Sequence, residues 1–298
     1  MKKHKFNLLI CLLCFLLAAC STQDAPLAEA NAEGVATLSF SVINYRQTSL
    51  DDVESGDGTR AAGSVDTLAH LAFAVYDADG KCVSTVLQDK GAADYGSFQA
   101  SLPYGHYTMV FLGYSGSAAV DLSSLTHINF GDDYVPNCFL RTLTVDVDAS
   151  STGAQPVTLS RCVGCFTITC QNGISSDMDA MTFQAQGGGT ALNALTGYAA
   201  QVATRSGSFS TQNVKDRSTK QQFNIYAFLP AEQAPMDFTL SATSSKGGTL
   251  RTRTFPSVPM SINKRIIYEG DFFAQPSGSS AFTLQLENAD WDEVKQTY

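Results

Sequence analysis

Short runs of alternating apolar and polar residues recur along most of this chain. They are clearest at 69–75, 97–102, 142–147, 166–170 and 238–243. A period of two predicts β-strands, because successive side chains of an extended chain point to opposite faces. One face of these runs is apolar and the other is rich in hydroxyl groups. That division is typical of antiparallel sheet covered on one side.

Turn sequences separate these runs, for example at 77–80 and 246–248, and no convincing helix of three turns is found. Many short strands at close spacing indicate β-sandwiches. Small, flexible residues at 149–156 predict a domain boundary. We therefore predict an all-β fold of two tandem antiparallel β-sandwich domains, residues 34–150 and 151–298.

The first and last strands have distinctive surroundings. Residues 35–43 predict a first strand, and the polar, acidic stretch 46–66 predicts a loop of about 20 residues, a length that is usually functional or disordered. The alternation at 281–287 predicts either the last strand of its own sandwich or a strand donated to another subunit. Trp291 and Tyr298 follow and favour the former.

The N-terminus carries a targeting segment. Lysines precede the uncharged run 8–19, which is too short for a bilayer span of about 20 apolar residues. Residues 1–19 are thus predicted to be a secretory signal. Its end, Leu-Ala-Ala-Cys at 17–20, resembles the bacterial lipobox. The resemblance implies cleavage between Ala19 and Cys20, and acylation of Cys20 with fatty chains such as palmitate; the alternative is a plain signal with a chance cysteine.

A lipid on Cys20 would make residues 20–33, which are small and polar, a lipidated tether. Several acyl chains on one residue form a stable membrane anchor, whereas one alone is marginal. Ser21 rather than aspartate follows the lipid site, which permits export to the outer membrane. Asp24 resembles part of a surface-export signal. We predict an outer-membrane lipoprotein at the cell surface.

The net charge of the chain limits the classes of partner that it can attract. The chain has a formal net charge of −9, which becomes −12 once the signal and its three lysines are removed. Long-range attraction to nucleic acid or to anionic lipid is therefore not expected. Hydrophobic residues make up 44% of the chain, enough to fill two cores.

The chain has eight cysteines, of which Cys11 and Cys14 leave with the signal. Cys162 and Cys165 have the spacing of a redox or zinc motif. Extended backbone, however, separates them by roughly 10 Å, beyond the ~7 Å that a disulfide allows, and no second ligand pair completes a zinc site. Buried thiols without metal are predicted, with a cross-strand disulfide as the alternative, for Cys82, Cys138, Cys162, Cys165 and Cys170.

Candidate catalytic residues do not assemble in the sequence. The stretch 77–80 lacks the later ligands of a calcium loop and predicts a hairpin turn. Residues 113–116 lack the spacing of a nucleophile elbow. His70, His106 and His127 have no nucleophile in a matching pattern. We predict no catalytic residue, no cofactor and no enzymatic activity.

Six segments share an order of motifs with one known family. VDTLAHLAFAVYDADGKCV opens the series, and ASLPYGHYTMVFLGYSG and LSRCVGCFTITCQNG follow. With the lipobox, this order resembles the fimbrillin-associated anchor and tip subunits of the type V pili of Gram-negative anaerobes. The resemblance covers most of the mature chain, at 65–83, 100–116, 159–173, 192–199, 223–230 and 262–273.

That resemblance implies a transthyretin-like Greek-key fold and assembly by β-strand pairing or exchange with other pilus subunits. Stalk members of the family lose their first strand to an arginine-specific protease, for which Arg46 and Arg60 are the candidate sites here. Anchor-type members keep the strand, which we expect for this chain. The predicted function is a lipid-anchored structural or adhesive pilus subunit of anchor or tip type, with a receptor on host or bacterial surfaces as a further partner.

A rival interpretation is a surface glycan-binding β-sandwich lipoprotein. It requires exposed aromatic side chains on one face, drawn from Tyr104, Tyr107, Tyr114, Tyr198 and Trp291. A lipoprotein hydrolase is a more distant rival, since no triad is assembled. The sequence leaves the anchor, tip and stalk roles open.

Overall fold

The computed structural model describes residues 34–46, 62–64, 68–116, 119–131, 134–274 and 282–286. Among the sequence-based predictions, the signal peptide 1–19, the tether 20–33, Arg60 and Trp291 lie outside the described residues.

In the described part of the chain, strands are the regular elements, and no helix there is long and apolar enough to cross a bilayer. The strands are β1 Val35–Arg46, β2 Ala62–Ser64, β3 His70–Tyr76, β4 Cys82–Asp89, β5 Ser97–Pro103, β6 Gly105–Tyr114, β7 Ile128–Asn129, β8 Cys138–Val147, β9 Ala154–Arg161, β10 Gly164–Cys170, β11 Met178–Gly188, β12 Ala191–Asn193, β13 Tyr198–Ala199, β14 Ala203–Ser210, β15 Gln221–Ala227, β16 Gln233–Ser244, β17 Thr249–Ser261, β18 Arg265–Gly270 and β19 Phe282–Leu286.

The first sheet has eight strands in the order β2-β1-β9-β8-β6-β3-β4, with β5 paired to β1. In a flat sheet β1 and β3 would lie about 19 Å apart, at about 4.8 Å per strand. The rings of Phe40 on β1 and Phe73 on β3 have centroids only 5.7 Å apart. The sheet therefore folds over on itself, and the enclosed side chains form the first core.

The second half of the chain builds two facing four-stranded sheets, β15-β10-β18-β19 and β14-β11-β16-β17. Phe166 of β10 stacks on Phe238 of β16 with centroids 4.2 Å apart and planes 9° from parallel. Around this pair lies the second core, to which both sheets contribute buried side chains. This is the face-to-face arrangement of a β-sandwich.

A third core links the two halves of the chain. Val110 and Leu112 of β6 share it with Val163, Cys165 and Phe228. Arg161, at the end of β9, donates hydrogen bonds to Asn137 (Nε to Oδ1, 3.0 Å) and to Asn263 (Nη1 to Oδ1, 2.9 Å). Its guanidinium also lies over the Phe139 ring, 4.7 Å from the centroid. The division at residue 150 stays a prediction.

The predicted all-β sandwich fold is confirmed, with two differences in detail. Two pairings, β1 with β9 and β10 with β18, are parallel. β10 is buried on both faces: Phe166 and Ile168 enter the second core, and Cys165 enters the third. Its threonines are hydrogen-bonded, as burial demands: Thr167 to Asn224 at 2.7 Å and Thr169 to Gln222 at 3.2 Å.

The predicted loop 46–66 is wrong at both of its ends. β1 continues to Arg46, and Ala62–Ser64 form β2, which pairs with residues 44–46. A short strand held by backbone hydrogen bonds needs no apolar alternation, so the sequence pattern did not indicate it.

Candidate functional site

The first strand is held on both of its sides. β1 pairs antiparallel with β5 from Val35–Pro103 to Ser41–Ser97, and with β2 at its end. On its other side it pairs in parallel with β9, from Ser39–Ala154 to Arg46–Ser160. β1 therefore bridges two parts of the chain that are far apart in sequence.

Alternate side chains of β1 enter the first core. Leu38, Phe40 and Val42 are 1%, 2% and 3% exposed, whereas Val35 and Ile43 are 67% and 52% exposed. The Phe40 ring lies 5.2 Å from the Phe111 ring and 5.7 Å from the Phe73 ring. The alternation of buried and exposed side chains agrees with the predicted first strand at 35–43.

Loss of β1 would leave a strand-shaped groove. Burial of Leu38, Phe40 and Val42 contributes about 2 kcal/mol each, or roughly 6 kcal/mol together. That sum is comparable to the whole stability of a small domain. The edges of β5 and β9 would also lose their backbone partner, and unpaired strand edges bind other strands. Burial in the first core and pairing with both β5 and β9 therefore hold β1 in place.

Of the predicted processing sites, Arg46 is the last residue of β1, and its backbone is in register with Ala62 and Ser160. Arg60 lies outside the described residues, as do the predicted lipidation site Cys20 and its neighbour Ala19. Proteolysis at either arginine stays a prediction.

The C-terminal strand pairs within its own sandwich. β19 runs antiparallel to β18 from Gly270–Phe282 to Ile266–Leu286. The chain just after β18 is fastened by two arginines of β17. Arg251 Nη2 donates to the Phe273 carbonyl at 2.7 Å, and Arg253 Nε donates to the Phe272 carbonyl at 3.0 Å. This agrees with the favoured interpretation of 281–287 as the last strand of its own sandwich.

The cysteine motif has no metal-site geometry. Cys82, Cys138, Cys162, Cys165 and Cys170 are free thiols, and all but Cys82 are buried. Burial raises the pKa of Cys165, and it raises that of Cys170 to about 12, with a smaller contribution from the charge of Asp271. Such thiols are protonated and unreactive. Within the described ranges no three His, Cys, Asp or Glu residues are grouped to hold a metal ion.

The histidines pair with carboxylates rather than with a nucleophile. His70 Nδ1 lies 2.7 Å from Asp89 Oδ1, and the ring stacks on Tyr114. His106 Nδ1 lies 2.7 Å from Asp146 Oδ1. These contacts fit histidines with a structural role.

The predicted hairpin turn at 77–80 is confirmed. The Asp77 side chain accepts hydrogen bonds from the amides of Asp79 and Lys81, at 3.1 and 2.9 Å. The Gly80 amide donates to the Asp77 carbonyl at 2.9 Å. The carboxylate is thus used to close the turn between β3 and β4.

Two of the aromatic residues proposed for a glycan-binding platform are buried. Tyr107 and Tyr114 are 8% and 3% exposed, and the Tyr107 hydroxyl donates to the Pro103 carbonyl at 3.1 Å. Burial raises the pKa of Tyr114 to about 12. Tyr104 and Tyr198 are half-buried. Alternation along a strand could not reveal that both faces of β6 are covered.

A cavity that the sequence did not indicate opens beside the start of β18. Its volume is about 340 Å³. Pro235, Pro259 and Ile266 supply apolar walls, and Lys264 and Arg265 supply positive charge. Its lining comes from β16, β17 and β18, so only the folded sandwich brings these residues together.

In its described part the protein is therefore a β-sandwich, and its most distinctive feature is a first strand that is paired on both sides and buried on one face. Residues 37–258 match the family described as fimbrillin-A associated anchor proteins Mfa1 and Mfa2. Comparison with curated proteins gave no match. The similar solved structures described below have low identity to this chain.

A Bacteroides thetaiotaomicron structure, described as a proposed polysaccharide-binding protein, is 12% identical with a TM-score of 0.51, covering 88% of this chain and 99% of its own. The fimbrial anchor protein Mfa2 of Porphyromonas gingivalis is 12% identical with a TM-score of 0.42. The match covers 88% of this chain and 100% of the Mfa2 chain. The tip fimbrial protein Mfa3 of the same organism is 12% identical with a TM-score of 0.38. The match covers 87% of this chain and 100% of the Mfa3 chain.

The family match extends over well more than half of the sequence, and the chain belongs to the fimbrillin-A associated anchor family. The predicted family is thus confirmed. The protein is accordingly a component of the cell-surface fimbrium, with other fimbrial subunits as partners.

Proposed function

We propose that this chain is an anchor or tip subunit of a surface fimbrium, held to the outer membrane by lipid on Cys20 and joined to other subunits by β-strand pairing. It works without catalysis: backbone hydrogen bonds and apolar side chains in a groove do the binding. The observation that carries the proposal is the seat of β1, which buries Leu38, Phe40 and Val42 between β5 and β9.

Two properties of this seat support strand exchange. Its contacts are mostly backbone pairing plus three side chains at alternate positions, so another strand with the same alternation can replace β1. β1 also lies at the start of the described chain, directly after the predicted tether, so its removal would not cut the chain between later strands.

The lipid anchor is tested by a Cys20→Ala variant expressed in cells that make the fimbria, with Ser21→Ala as the matched control. We expect Cys20→Ala to leave the outer-membrane fraction and Ser21→Ala to stay there. Retention of Cys20→Ala in the membrane contradicts the anchor.

The role in the fibre is tested by the intact mass and N-terminal sequence of the cellular protein. An acylated start at Cys20 agrees with an anchor or tip subunit that retains β1. A start immediately after Arg46 or Arg60 identifies a processed stalk subunit and contradicts the proposed role. Co-purification of pilins with the wild-type chain is the accompanying expectation.

The glycan-binding alternative makes a different prediction. It expects oligosaccharide binding by calorimetry in the absence of any pilin. The burial of Tyr107 and Tyr114 removes two of its five candidate residues, so we favour strand pairing.

A further inference from the structure

Two of the buried cysteines lie opposite each other where β8 begins and β9 ends. β8 and β9 pair antiparallel at two positions, and the outer of these sets Phe139 opposite Arg161. The next position in the same register sets Cys138 opposite Cys162. The Cys162 amide donates to the Cys138 carbonyl at 3.0 Å, so the backbone pairing extends to the two cysteines.

The position of the two cysteines fits a disulfide. Directly opposed residues of an antiparallel pair have Cα atoms about 4.5–5.5 Å apart and side chains on one face, and a disulfide needs Cα atoms about 4.4–6.8 Å apart. Cys138 and Cys162 are 0% and 4% exposed, and both belong to the third core. Cys162 Sγ donates to the Cys138 carbonyl at 3.4 Å. The thiols also act on each other, since the pKa of Cys138 is raised first by burial and then by the hydrogen bond and charge of Cys162.

The other three described cysteines have no cysteine on the strands beside them. Cys82 lies on β4, which pairs with β3. Cys165 and Cys170 lie on β10, which pairs with β15 and β18. None of these three neighbouring strands contains a cysteine. Among the described cysteines, strand pairing therefore brings only Cys138 and Cys162 together.

We propose that Cys138 and Cys162 are joined by a disulfide in the mature protein at the cell surface. The structure holds both residues as thiols, in the place that the bond requires. Disulfides form and persist in exported proteins, because the compartments outside the cytosol are oxidising. A component of the cell-surface fimbrium has passed through such a compartment. The inference rests on that location alone, and not on lipid at Cys20 or on strand exchange.

The bond forms by oxidation of both thiols, and the oxidant is an exported thiol–disulfide oxidoreductase in its disulfide form. One cysteine thiolate attacks a sulfur of the oxidant's disulfide, so that a mixed disulfide forms and the oxidant's other sulfur leaves as a thiolate. The second cysteine thiolate attacks the first cysteine's sulfur in the mixed disulfide. The Cys138–Cys162 bond forms, and the oxidant leaves as a dithiol with the two protons of the thiols. Oxidation precedes closure of the third core, because burial raises the pKa of Cys138 well above its ordinary value and a buried thiol supplies little thiolate.

The bond has a consequence for β9, which is paired unevenly with its two neighbours. β9 pairs with β1 from Ser39–Ala154 to Arg46–Ser160, but with β8 at only two positions. If β1 is exchanged for another strand, as the proposed function allows, β9 loses the longer pairing. A disulfide at the end of β9 keeps this strand attached to β8 during the exchange. This consequence, unlike the bond itself, rests on the proposed function.

The test is disulfide mapping of the full chain purified from cells that make the fimbria. The protein is alkylated in denaturant without reductant, at a mildly acidic pH that suppresses thiol–disulfide exchange, and is then digested with trypsin. Cys138 lies in the tryptic peptide 91–141, and Cys162 lies in the peptide 162–205. We expect the two peptides to be joined and to separate when a reductant is added. Separate peptides with an alkylated Cys138 overturn the proposal, whether or not the N-terminal peptide carries lipid on Cys20.

Variants assign the bond, because the second peptide also contains Cys165 and Cys170. Cys162→Ala should release the peptide 91–141, and the matched control Cys165→Ala should leave the two peptides joined. A linkage that survives Cys162→Ala, or one that is lost in Cys165→Ala, overturns the proposal. Reductant should also lower the midpoint of thermal unfolding of the wild type by about 10 °C, because the bond closes a loop between residues 24 positions apart. It should not change the midpoint of Cys138→Ala, and an equal response of the two proteins contradicts the bond.

Discussion

Phe40 is the side chain through which β1 is best tested. It is 2% exposed, and its ring meets those of Phe73 and Phe111. Phenylalanine-to-alanine substitutions in cores cost about 3–5 kcal/mol, by lost transfer energy and the cavity left behind. Since the Phe40 ring packs between the rings of Phe73 and Phe111, we expect Phe40→Ala to lower the free energy of unfolding by about 4 kcal/mol.

The assay is urea unfolding followed by circular dichroism. With a slope of about 3 kcal/mol/M for a chain of this size, a loss of about 4 kcal/mol lowers the midpoint by about 1.3 M. Ile43→Ala is the matched control: the residue lies on the same strand but is 52% exposed, so its change should stay within about 0.5 kcal/mol. Equal effects of the two substitutions would refute the reasoning that β1 is held by its inward face.

Three further predictions concern stability and thiol reactivity. Burial raises the pKa of Cys170 and Tyr226 to about 12, so above about pH 9 these groups ionise in the unfolded chain before they ionise in the folded one. The free energy of unfolding should therefore fall steadily from about pH 9 towards pH 12, and a constant value across that range contradicts the prediction. Among the five thiols that the structure describes, Ellman's reagent should modify only Cys82 before urea is added, and rapid reaction of a second one is the contrary result. Gly173→Ala should destabilise the fold more than Gly80→Ala, because both glycines have a positive φ but only at Gly173 would a Cβ clash with a backbone carbonyl oxygen, that of Arg217; calorimetry compares the two variants.

Local alternation was sufficient to predict β1 and several of the other strands. Side-chain periodicity reports directly on which residues avoid water, and the burial of Leu38, Phe40 and Val42 follows that period. It could not assign strand neighbours, because pairing β1 with β9 joins residues more than a hundred positions apart. Parallel pairing of this kind leaves no local signal in the sequence.

The existence of the first strand was predictable from the sequence, but the residues and contacts around it were not. The family resemblance supplied the idea of strand exchange, and the alternation of 35–43 supplied the strand. The cavity beside β18 and the guanidinium contacts of Arg161 depend on three-dimensional packing of segments from β9, β16, β17 and β18. Burial of Tyr107 and Tyr114 likewise depends on which elements cover β6, and this is why the aromatic-platform interpretation failed for them.

The double-sided pairing of β1 has a mechanical consequence. Backbone hydrogen bonds of a ladder run across the strands, so a pull applied at Val35 along the strand loads the bonds to β5 and β9 together rather than one after another. Such a shear arrangement resists force far better than a peeling one. A protein fastened at that end would withstand fluid drag for as long as this single strand stays in place.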